Sequence, residues 1–307
     1  MSCFHQSHVL PAPVLTPDTY SYPRYLLAKK TVDARALNTC VWRHFLERLS
    51  ARGTSLRVLE VGGGVGATAE RLIAALEARA VAQVTYTLVD VTEENLHTAA
   101  STLCDWADGR GYAVTGRGAQ QEWRSEALSV SLRLVHADLH DVTTDTPCDA
   151  LIGQAVFDLL DVPVALEALR PSVRADGLWY LPIHFDGITA FEPRLDGGLD
   201  ATIERLYHES MGDGVHSGRR LLTQLPAAGA DIVAAGGSDW VVHPTADGYP
   251  GAEGYFLHHV LHFVETELQG HPALSAKALA EWSETRHRQV ERGTLVYIAH
   301  QLDVLAA

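Results

Sequence analysis

A glycine-rich segment at residues 62–66 is the part of the sequence whose residue types and spacing most directly indicate chemistry. Gly62, Gly64 and Gly66 occupy alternate positions directly after an apolar run at residues 56–61, and a helical pattern follows them. Glycines between a strand and a helix permit left-handed backbone conformations, so a ligand can lie directly against the main chain. The start of the following helix also offers unpaired N–H donors. The segment therefore predicts a loop that holds a ligand.

Two cofactor classes fit this loop when it is considered alone. Gly62, Gly64 and Ala67 satisfy the dinucleotide fingerprint G-x-G-x-x-G/A, and an acidic residue, Asp90, follows about twenty positions later. A nicotinamide cofactor and a nucleoside cofactor therefore both remain open on this pattern. A glycine-rich turn without a ligand is a further alternative, which the preceding strand and the acid at position 90 disfavour.

Alternating strands and helices must position this loop. Short apolar runs predict five strands, at residues 56–61, 84–89, 132–135, 150–152 and 178–185, the last after a turn at residues 174–177. Residues between these runs show helical spacing, as in the segment at residues 67–80. Strands that alternate with helices predict an α/β fold with a doubly wound, mostly parallel sheet that is covered on both faces.

Helical patterns outside this core predict a cap. A proline-containing coil at residues 1–23 precedes a helical layer at residues 25–49, where apolar side chains recur at three- and four-residue steps. After the fifth strand we predict two insertions around a strand at residues 231–235, and a last strand at residues 295–304. The helices predicted in this half lie at residues 199–211, 219–228, 253–269 and 273–292.

These patterns predict one integrated domain with three segments. Residues 1–55 form an N-terminal coil and helical cap, residues 56–185 form the ligand-binding core, and residues 186–307 complete the core and carry the cap insertions. The apolar N-terminal helices also allow pairing into a homodimer.

Glu60 precedes the three loop glycines and completes a longer motif, E-x-G-x-G-x-G, with Gly62, Gly64 and Gly66. With this motif the chain resembles the class I S-adenosylmethionine-dependent methyltransferases, and the resemblance extends over residues 56–185. It implies a seven-stranded Rossmann-like sheet closed by an antiparallel strand, with S-adenosylmethionine as cofactor and S-adenosylhomocysteine as product. Glu60 favours this family over the dinucleotide fingerprint, since in the family that acid helps to hold the loop and the amino acid end of the cofactor.

The resemblance also implies roles for residues after the second, third and fourth strands. Asp90 would accept hydrogen bonds from both ribose hydroxyls, which suits a carboxylate because its two oxygens can accept from a vicinal diol. Asp138 and the backbone amide of Leu139 would bind adenine, and a solvated loop acid is the alternative for Asp138. Gln154 would lie beside the methyl donor, and Phe157 would begin the acceptor pocket.

Methyl transfer is an in-line displacement and depends mainly on positioning. Good orientation of the reactants contributes about 7–11 kcal/mol, whereas a general base adds about 3–5 kcal/mol. His184, at the end of the fifth strand, is the candidate catalytic base, and a packed histidine is the alternative. His216 is a candidate for the substrate pocket, where a helix cap at Ser217 is the alternative. Arg35 is a candidate for the cofactor carboxylate, and a surface salt bridge is equally compatible with its position.

Composition and missing motifs disfavour several functions. The formal net charge of −14 disfavours nucleic acid, and residues 153–156 lack the N/D-P-P-Y/F motif of base-flipping methyltransferases. The sequence contains neither a Gly-x-Ser-x-Gly elbow nor a Walker loop, which disfavours hydrolases and phosphotransferases. Together with these exclusions, the resemblance implies an enzyme that methylates a small organic acceptor. The alternatives are an NAD(P)-dependent oxidoreductase and an S-adenosylmethionine-binding protein that does not methylate.

Metal and membrane sites are not expected. The four cysteines, Cys3, Cys40, Cys104 and Cys148, lack the paired spacing of zinc sites, and we interpret them as reduced thiols. His258 and His262 stand four residues apart, which suits either two metal ligands or a half-exposed helix face. The sequence has no apolar run of the ~20 residues that a membrane span needs. A cytoplasmic location is the resulting expectation.

Overall fold

The computed structural model describes residues 15–142 and 146–307, and it contains a ten-stranded sheet in the order β3-β4-β5-β2-β1-β6-β7-β10-β8, with β9 paired to β10. The predicted roles of Cys3 and of the first prolines lie outside the described residues. The strands are β1 (Ser55–Val61), β2 (Gln83–Asp90), β3 (Ala113–Thr115), β4 (Gln120–Arg124), β5 (Ser129–His136), β6 (Cys148–Ile152), β7 (Val173–Glu192), β8 (Ile232–Gly237), β9 (Trp240–Val242) and β10 (Val296–Ala306).

Five neighbouring strands, β5, β2, β1, β6 and β7, run parallel and form the centre of the sheet. Alternate residues of β6 belong to different buried clusters: Ala150 and Ile152 pack on one side of the sheet and Leu151 on the other. Both faces are therefore buried, as near-continuous apolar runs in parallel strands require. The carboxyl ends of β1, β2 and β6 meet at one edge, where open α/β sheets bind ligands.

The antiparallel strand β10 lies between β7 and β8, and it pairs antiparallel with both. This arrangement confirms the predicted α/β fold with a mostly parallel Rossmann-like sheet and a closing antiparallel strand. The expected number of seven strands was too small, because β3 and β4 add an antiparallel hairpin at the edge beside β5 and β9 adds a short pairing with β10. β7 also begins at Val173, so the turn expected at residues 174–177 lies inside that strand.

Ten α-helices occur among the described residues. They are α1 (Tyr22–Ala28), α2 (Lys30–Ala36), α3 (Thr39–Ser50), α4 (Ala67–Glu77), α5 (Glu93–Gly109), α6 (Val162–Leu169), α7 (Gly197–Ser210), α8 (Ser217–Ala227), α9 (Glu253–Leu268) and α10 (Ala276–Glu291). Short 3₁₀ turns at Leu139–Asp141, Phe157–Leu159, Arg170–Ser172 and Gly212–His216 complete the connections. No helix in the described ranges is long and apolar enough to cross a membrane.

The N-terminal layer consists of three helices where the sequence indicated one continuous helical pattern. Asn38 interrupts it, because its backbone is extended and its side chain accepts hydrogen bonds from the amides of Cys40 and Val41, which caps α3. Ser21 caps α1 in the same way. The resulting bends let α1 pack on α9 and let α2 pack beside β9. The N-terminal helices thereby reach the carboxyl edge of the sheet.

A buried ion pair joins the two insertions of the cap. The Asp200 Oδ1 atom on α7 accepts hydrogen bonds from Arg286 Nη2 and Trp282 Nε1 on α10, each at 2.7 Å. Asp200 and Arg286 are almost fully shielded from solvent. Because a charge buried in this way requires a partner, the pair fixes α7 against α10 over the end of the sheet.

Candidate functional site

The loop after β1 has the left-handed backbone that its glycines permit. The φ angles are +64° at Gly62, +54° at Gly64 and +82° at Gly66, where α4 begins. A Cβ atom at Gly62 would lie 2.5 Å from Val156 Cγ2, and one at Gly63 would overlap the side chain of Leu88. Steric and conformational limits thus both require glycine here. The chain passes tightly between the ends of β1 and its neighbours.

Asp90, the last residue of β2, fixes this loop from the side. Its Oδ2 atom accepts a 2.8 Å hydrogen bond from the Gly64 amide, and its Oδ1 atom accepts from the Thr92 amide at 2.8 Å and from Asn95 Nδ2 at 3.2 Å. A carboxylate offers about four acceptor positions, so these three bonds leave room for one more. The Asn95 Oδ1 atom is buried and has no hydrogen-bond partner among the described residues. Asp90 and Asn95 both line a cleft above the loop.

Glu60 lies near the end of β1 and is buried. Its Oε2 atom accepts a 2.7 Å hydrogen bond from the Tyr86 hydroxyl on β2. Burial raises the pKa of Glu60 to about 7, while the hydrogen bond from Tyr86 opposes that rise. The carboxyl group therefore changes its charge near neutral pH at the floor of the cleft, which it lines.

Asp138 and Leu139 lie after β5, on the far side of the cleft. The Asp138 Oδ1 atom accepts a 2.9 Å hydrogen bond from the amide of His140 and so caps the 3₁₀ turn at Leu139–Asp141. Asp138 and Leu139 both line the cleft. The turn therefore holds this carboxylate at the cleft wall.

Gln154 follows β6 and links the loop region to the N-terminal helices. Its Oε1 atom accepts from Thr68 Oγ1 at 3.1 Å and Arg71 Nη1 at 3.2 Å, and its Nε2 atom donates to Asp33 Oδ2 at 2.8 Å. Asp33 Oδ1 in turn accepts from Trp240 Nε1 at 2.9 Å. Asp33 on α2 was missed in the sequence, and it holds α2 over the cleft.

The structure brings together most of the predicted cofactor residues around one cleft of about 360 Å³. The predicted residues that line it are Glu60, Gly62, Gly64, Asp90, Asp138, Leu139 and Gln154. Gly66 and Arg35 are not among the lining residues. Arg35 pairs with Glu253 of α9, with Nη2 2.8 Å from Oε2, which is the salt bridge that the sequence left open.

A second cavity, of about 920 Å³, adjoins this cleft. The residues that border both are Tyr22, Lys29, Ala155, Leu159 and Leu160. Phe157, predicted for the substrate pocket, lines the larger cavity, whereas His216 lines a separate surface depression beside Gly187. Two connected spaces thus meet at the carboxyl edge of the sheet.

His184 lines neither cavity. Its Nε2 atom accepts a hydrogen bond from the Phe157 amide at 3.2 Å, and its Nδ1 atom lies 3.2 Å from the carbonyl oxygen of Leu181. Complete burial lowers the pKa of His184 to about 3, so the ring is neutral at physiological pH. This is the geometry of a packed histidine that positions the Phe157 segment.

Two charged residues at the junction of the cavities were not singled out in the sequence. Lys29, between α1 and α2, is 9% exposed, and its Nζ atom lies 3.3 Å from Asp33 Oδ2 and 5.2 Å from the centre of the Trp240 ring. Asp158 follows Phe157 and lines the larger cavity. Lysine and aspartate are common on exposed helices and turns, so composition and spacing gave no signal for either.

In the described part of the chain, no group of three or more His, Cys, Asp or Glu side chains is placed to hold a metal ion. His258 contacts His287, with 2.7 Å between their Nδ1 atoms, inside the α9–α10 interface. Cys40, Cys104 and Cys148 are free thiols.

Comparison with known proteins identifies similarities in structure only. No protein-family model matches the chain, and no curated protein matches it. A S-adenosylmethionine-dependent methyltransferase from Geobacter sulfurreducens, solved with S-adenosyl-L-homocysteine, is 14% identical, with a TM-score of 0.47 over 94% of this chain and 99% of that chain. The corresponding complex from Thiobacillus denitrificans is 14% identical, with a TM-score of 0.48 over 92% and 98%.

A putative methyltransferase from Bacillus halodurans is also 14% identical, with a TM-score of 0.46 over 88% of this chain and 98% of that chain. At these identities and TM-scores, the activities of those proteins do not transfer to this chain by similarity.

Proposed function

We propose that this protein is an enzyme that transfers a methyl group from S-adenosylmethionine to a small organic acceptor. The observation that carries the proposal is the pair of adjoining cavities. The smaller cleft lies on the glycine loop beside Asp90, and the larger space adjoins it along Ala155 and Leu159. A methyl donor in the first and an acceptor in the second would meet at the shared border.

The residues of the cleft fit an adenosyl cofactor. Asp90 retains one acceptor position and the Asn95 Oδ1 atom accepts no hydrogen bond from the described residues, so together they suit the two adjacent hydroxyl groups of a ribose. Glu60, when ionised, suits an ammonium group, and Asp138 and Leu139 lie across the cleft where an adenine ring would be held. The glycine loop allows the ligand to rest on the main chain, because side chains there would collide with Val156 or Leu88.

S-adenosylmethionine supplies an electrophilic methyl group when it is bound. The chain's own residues would bind and orient both reactants and exclude water from between them. Gln154, fixed by Thr68, Arg71 and Asp33, would hold the segment that separates the two cavities in one position. Since orientation is the larger part of catalysis for an in-line displacement, this rigidity is the main catalytic contribution that we propose for the scaffold.

The alternative interpretation of the glycine loop is that the protein is an NAD(P)-dependent oxidoreductase. Two features favour the methyltransferase: Glu60 precedes the glycines, and the antiparallel strand β10 closes the sheet. A dinucleotide-binding Rossmann domain would predict neither of these features.

Calorimetric titration with S-adenosylhomocysteine and with NAD⁺ tests the proposal. We expect the purified protein to bind S-adenosylhomocysteine and not NAD⁺, and we expect Asp90→Ala to weaken that binding by about ten- to a hundred-fold, as the loss of a charged hydrogen bond predicts. Asp105→Ala, an exposed position on α5, is the matched control. Binding of NAD⁺ without S-adenosylhomocysteine would reject the proposal in favour of the oxidoreductase.

Incubation with S-adenosylmethionine tests the catalytic part separately. Release of S-adenosylhomocysteine on addition of an acceptor is the expected result. Cofactor binding without any such release across a broad set of small acceptors would instead support a protein that binds the cofactor and does not methylate.

A further inference from the structure

The larger cavity carries opposite charges at the end that joins the cofactor cleft. Lys29 borders both spaces, and Asp158 lines the larger one immediately before Leu159, which also borders both. Tyr22 lies at the same junction. The other charged residues that line the larger cavity are exposed or half-buried, namely Asp161, Asp213, Arg220 and Glu267.

Lys29 has capacity to bind a ligand anion. Its ammonium group offers three donors, and Asp33 Oδ2, 3.3 Å away, is the acceptor found for it in the described structure. The same Asp33 carboxylate already accepts hydrogen bonds from Gln154 and Trp240. Its charge is therefore shared among three donors, which leaves Lys29 able to stabilise a further negative group in the cavity.

Few protein groups stabilise the negative charge of the Asp158 carboxylate. Within the described structure its Oδ1 atom has no hydrogen-bond partner, and the nearest ring nitrogen, His184 Nε2, is 3.8 Å away and already accepts from the Phe157 amide. Burial raises the pKa of Asp158 to about 6, and backbone amides and the Lys29 ammonium oppose that rise. The group can therefore exist as a base near neutral pH and can also retain a proton.

Other ionisable groups around the cavity are poor proton acceptors. Burial raises the pKa of Tyr207 to about 12 and that of Tyr25 well above its usual value, so both remain neutral phenols. Asp161 caps α6 through the Val164 amide, and Asp213 is exposed and paired with Arg220 at 2.7 Å. Glu267, the remaining carboxylate among the lining residues, is exposed on α9. Asp158 is thus the carboxylate best suited to take a proton at this end.

The walls of the cavity indicate the size and nature of the acceptor. Aromatic rings line it on several sides, from Tyr25, Phe157, Phe185, Tyr207, Trp240 and Tyr297. Its volume of about 920 Å³ is at the upper end of the range for small-molecule sites, about 300–1,000 Å³. Flat, multi-ring molecules fill such a space better than amino acids or simple amines, because aromatic walls favour stacked and edge-to-face contacts.

We propose that the acceptor is a multi-ring phenol, whose hydroxyl oxygen is held by Lys29 and whose proton is taken by Asp158. This inference rests on the proposed function, since it names the acceptor class of that same site. In the reaction the phenol O–H bond breaks and its proton passes to the Asp158 carboxylate. The phenol oxygen forms a bond to the methyl carbon, and the S–CH₃ bond breaks with its electron pair left on sulfur.

The two charges act together on the phenol. An aromatic hydroxyl has an ordinary pKa of about 10, which is too high for a carboxylate to deprotonate it efficiently. An ammonium group within about 4–6 Å lowers such a pKa by about 1–3 units, and removal of water strengthens the effect. Lys29 therefore makes the proton transfer to Asp158 feasible.

Binding of 7-hydroxyflavone to the full-length protein loaded with S-adenosylhomocysteine tests this inference without methyl transfer. The phenolate of this probe absorbs at longer wavelength than the phenol, so its spectrum reports the bound protonation state. We expect the bound probe to be phenolate at a pH where the free probe is phenol, and to bind about ten-fold more tightly than unsubstituted flavone. Quenching of Trp240 fluorescence, absent in Trp240→Phe, would place the probe in the larger cavity.

Substitutions of Lys29 and Asp158 separate the stabilisation of the phenolate from the uptake of its proton. Lys29→Met keeps the length of the side chain and should lower the phenolate fraction about ten-fold or more, whereas Lys29→Arg should retain it. Asp158→Asn keeps Lys29 and should still bind the probe as phenolate, but calorimetry in buffers of different ionisation enthalpy should show the phenol proton released to the buffer, whereas the unmodified protein retains it on Asp158. Lys277→Met on the exposed face of α10 and Asp105→Asn on α5 are the matched controls and should behave as the unmodified protein does.

The inference would be overturned by a bound probe that remains phenol in the unmodified protein, or by a phenolate spectrum that persists in Lys29→Met. Equal binding of flavone and 7-hydroxyflavone would also contradict it. Binding of S-adenosylhomocysteine, measured in the same preparations, distinguishes this failure from failure of the proposed function, because the cofactor would still bind if only the acceptor class were wrong.

Discussion

The backbone amide of Gly64 donates a 2.8 Å hydrogen bond to the Oδ2 atom of Asp90. This bond joins the loop after β1 to the end of β2, two strands that are neighbours in the sheet. The left-handed conformation of Gly64 turns its amide toward the carboxylate. Asp90 therefore has two functions in the proposed site, since it shapes the loop and also faces the ligand cleft.

Asp90→Asn should destabilise the glycine loop and weaken ligand binding. An amide nitrogen in place of one carboxylate oxygen would oppose one of the N–H donors of Gly64, Thr92 or Asn95. A buried donor left unpaired costs about 1–3 kcal/mol, and we expect the free energy of unfolding to fall by that amount. Denaturant unfolding measures the loss, and Asp105→Asn on the exposed face of α5 is the control. An unchanged free energy of unfolding would show that the three bonds do not restrain the loop.

Gly63→Ala should be destabilising for reasons of packing alone. The added Cβ would overlap the buried side chain of Leu88, whereas a Cβ at Gly109, the last residue of α5, would meet nothing within 4 Å. Overpacking of a core costs about 1–3 kcal/mol, while glycine to alanine in a helix stabilises by about 0.5–1 kcal/mol. Thermal melts of Gly63→Ala and Gly109→Ala should therefore shift in opposite directions. Similar melting temperatures for the two variants would contradict this packing.

Affinity for S-adenosylhomocysteine should depend on pH through Glu60. Burial raises the pKa of Glu60 to about 7, so the carboxyl is mostly protonated at pH 5.5 and mostly ionised at pH 8. The ionised form attracts the ligand's ammonium group, and affinity should therefore rise with pH through about 7 and then level off. Calorimetry at several pH values measures this, with proton release on binding as a second readout.

Glu60→Gln is the matched variant for that titration, because it keeps the shape of the side chain and removes its charge. Its affinity should be lower at pH 8 and nearly constant from pH 5.5 to pH 8. A pH profile that persists unchanged in Glu60→Gln would assign the titration to another group.

Asp200→Asn should destabilise the cap strongly. Burial alone would raise the pKa of Asp200, but hydrogen bonds from Trp282, the Leu195 amide and Arg286 outweigh it and hold the pKa below its usual value. Loss of the carboxylate leaves Arg286 buried without its partner, which costs about 3–5 kcal/mol. Glu284→Gln, which breaks an exposed pair with Arg288, is the control and should cost less than about 1 kcal/mol.

Asp200→Asn should also change how the stability of the protein depends on acidic pH. A carboxyl with a lowered pKa in the folded state stabilises the fold above its ordinary pKa, and this stabilisation is lost as the pH falls through the lowered value. The unfolding free energy of the unmodified protein should therefore decline below about pH 4, whereas that of Asp200→Asn should decline less steeply. Parallel acid profiles for the two proteins would contradict this assignment.

The parallel core could be predicted because its strands are apolar runs that end at polar or glycine residues. The hairpin of β3 and β4 was missed for a specific reason. In β4 the inward positions are Gln121 and Trp123, and the buried Gln121 amide is satisfied by the carbonyl oxygens of Ala100 and Gly118. A polar residue at an inward position removes the alternation of apolar and polar side chains on which strand prediction depends.

The residues of the candidate site also divide into those that the sequence could predict and those that it could not. Residues that follow directly after a strand, such as Asp90 and Gln154, reach the cleft because parallel strands end at one edge. Lys29 and Asp33 reach it only because α2 packs beside β9, and Asp33 is fixed by Trp240, which is far away in the sequence. Arg35 illustrates the converse, since its partner Glu253 lies on a helix whose position the sequence does not specify.

Tyr22 and Lys29 belong to one short segment that covers both cavities, and this shared cover has a thermodynamic consequence. If a ligand in the smaller cleft orders that segment, the entropic cost of ordering it is already met when the second ligand arrives. Linkage then requires reciprocity: the factor by which the first ligand tightens the second equals the factor by which the second tightens the first. The order of addition would alter rates but leave the ternary affinity the same.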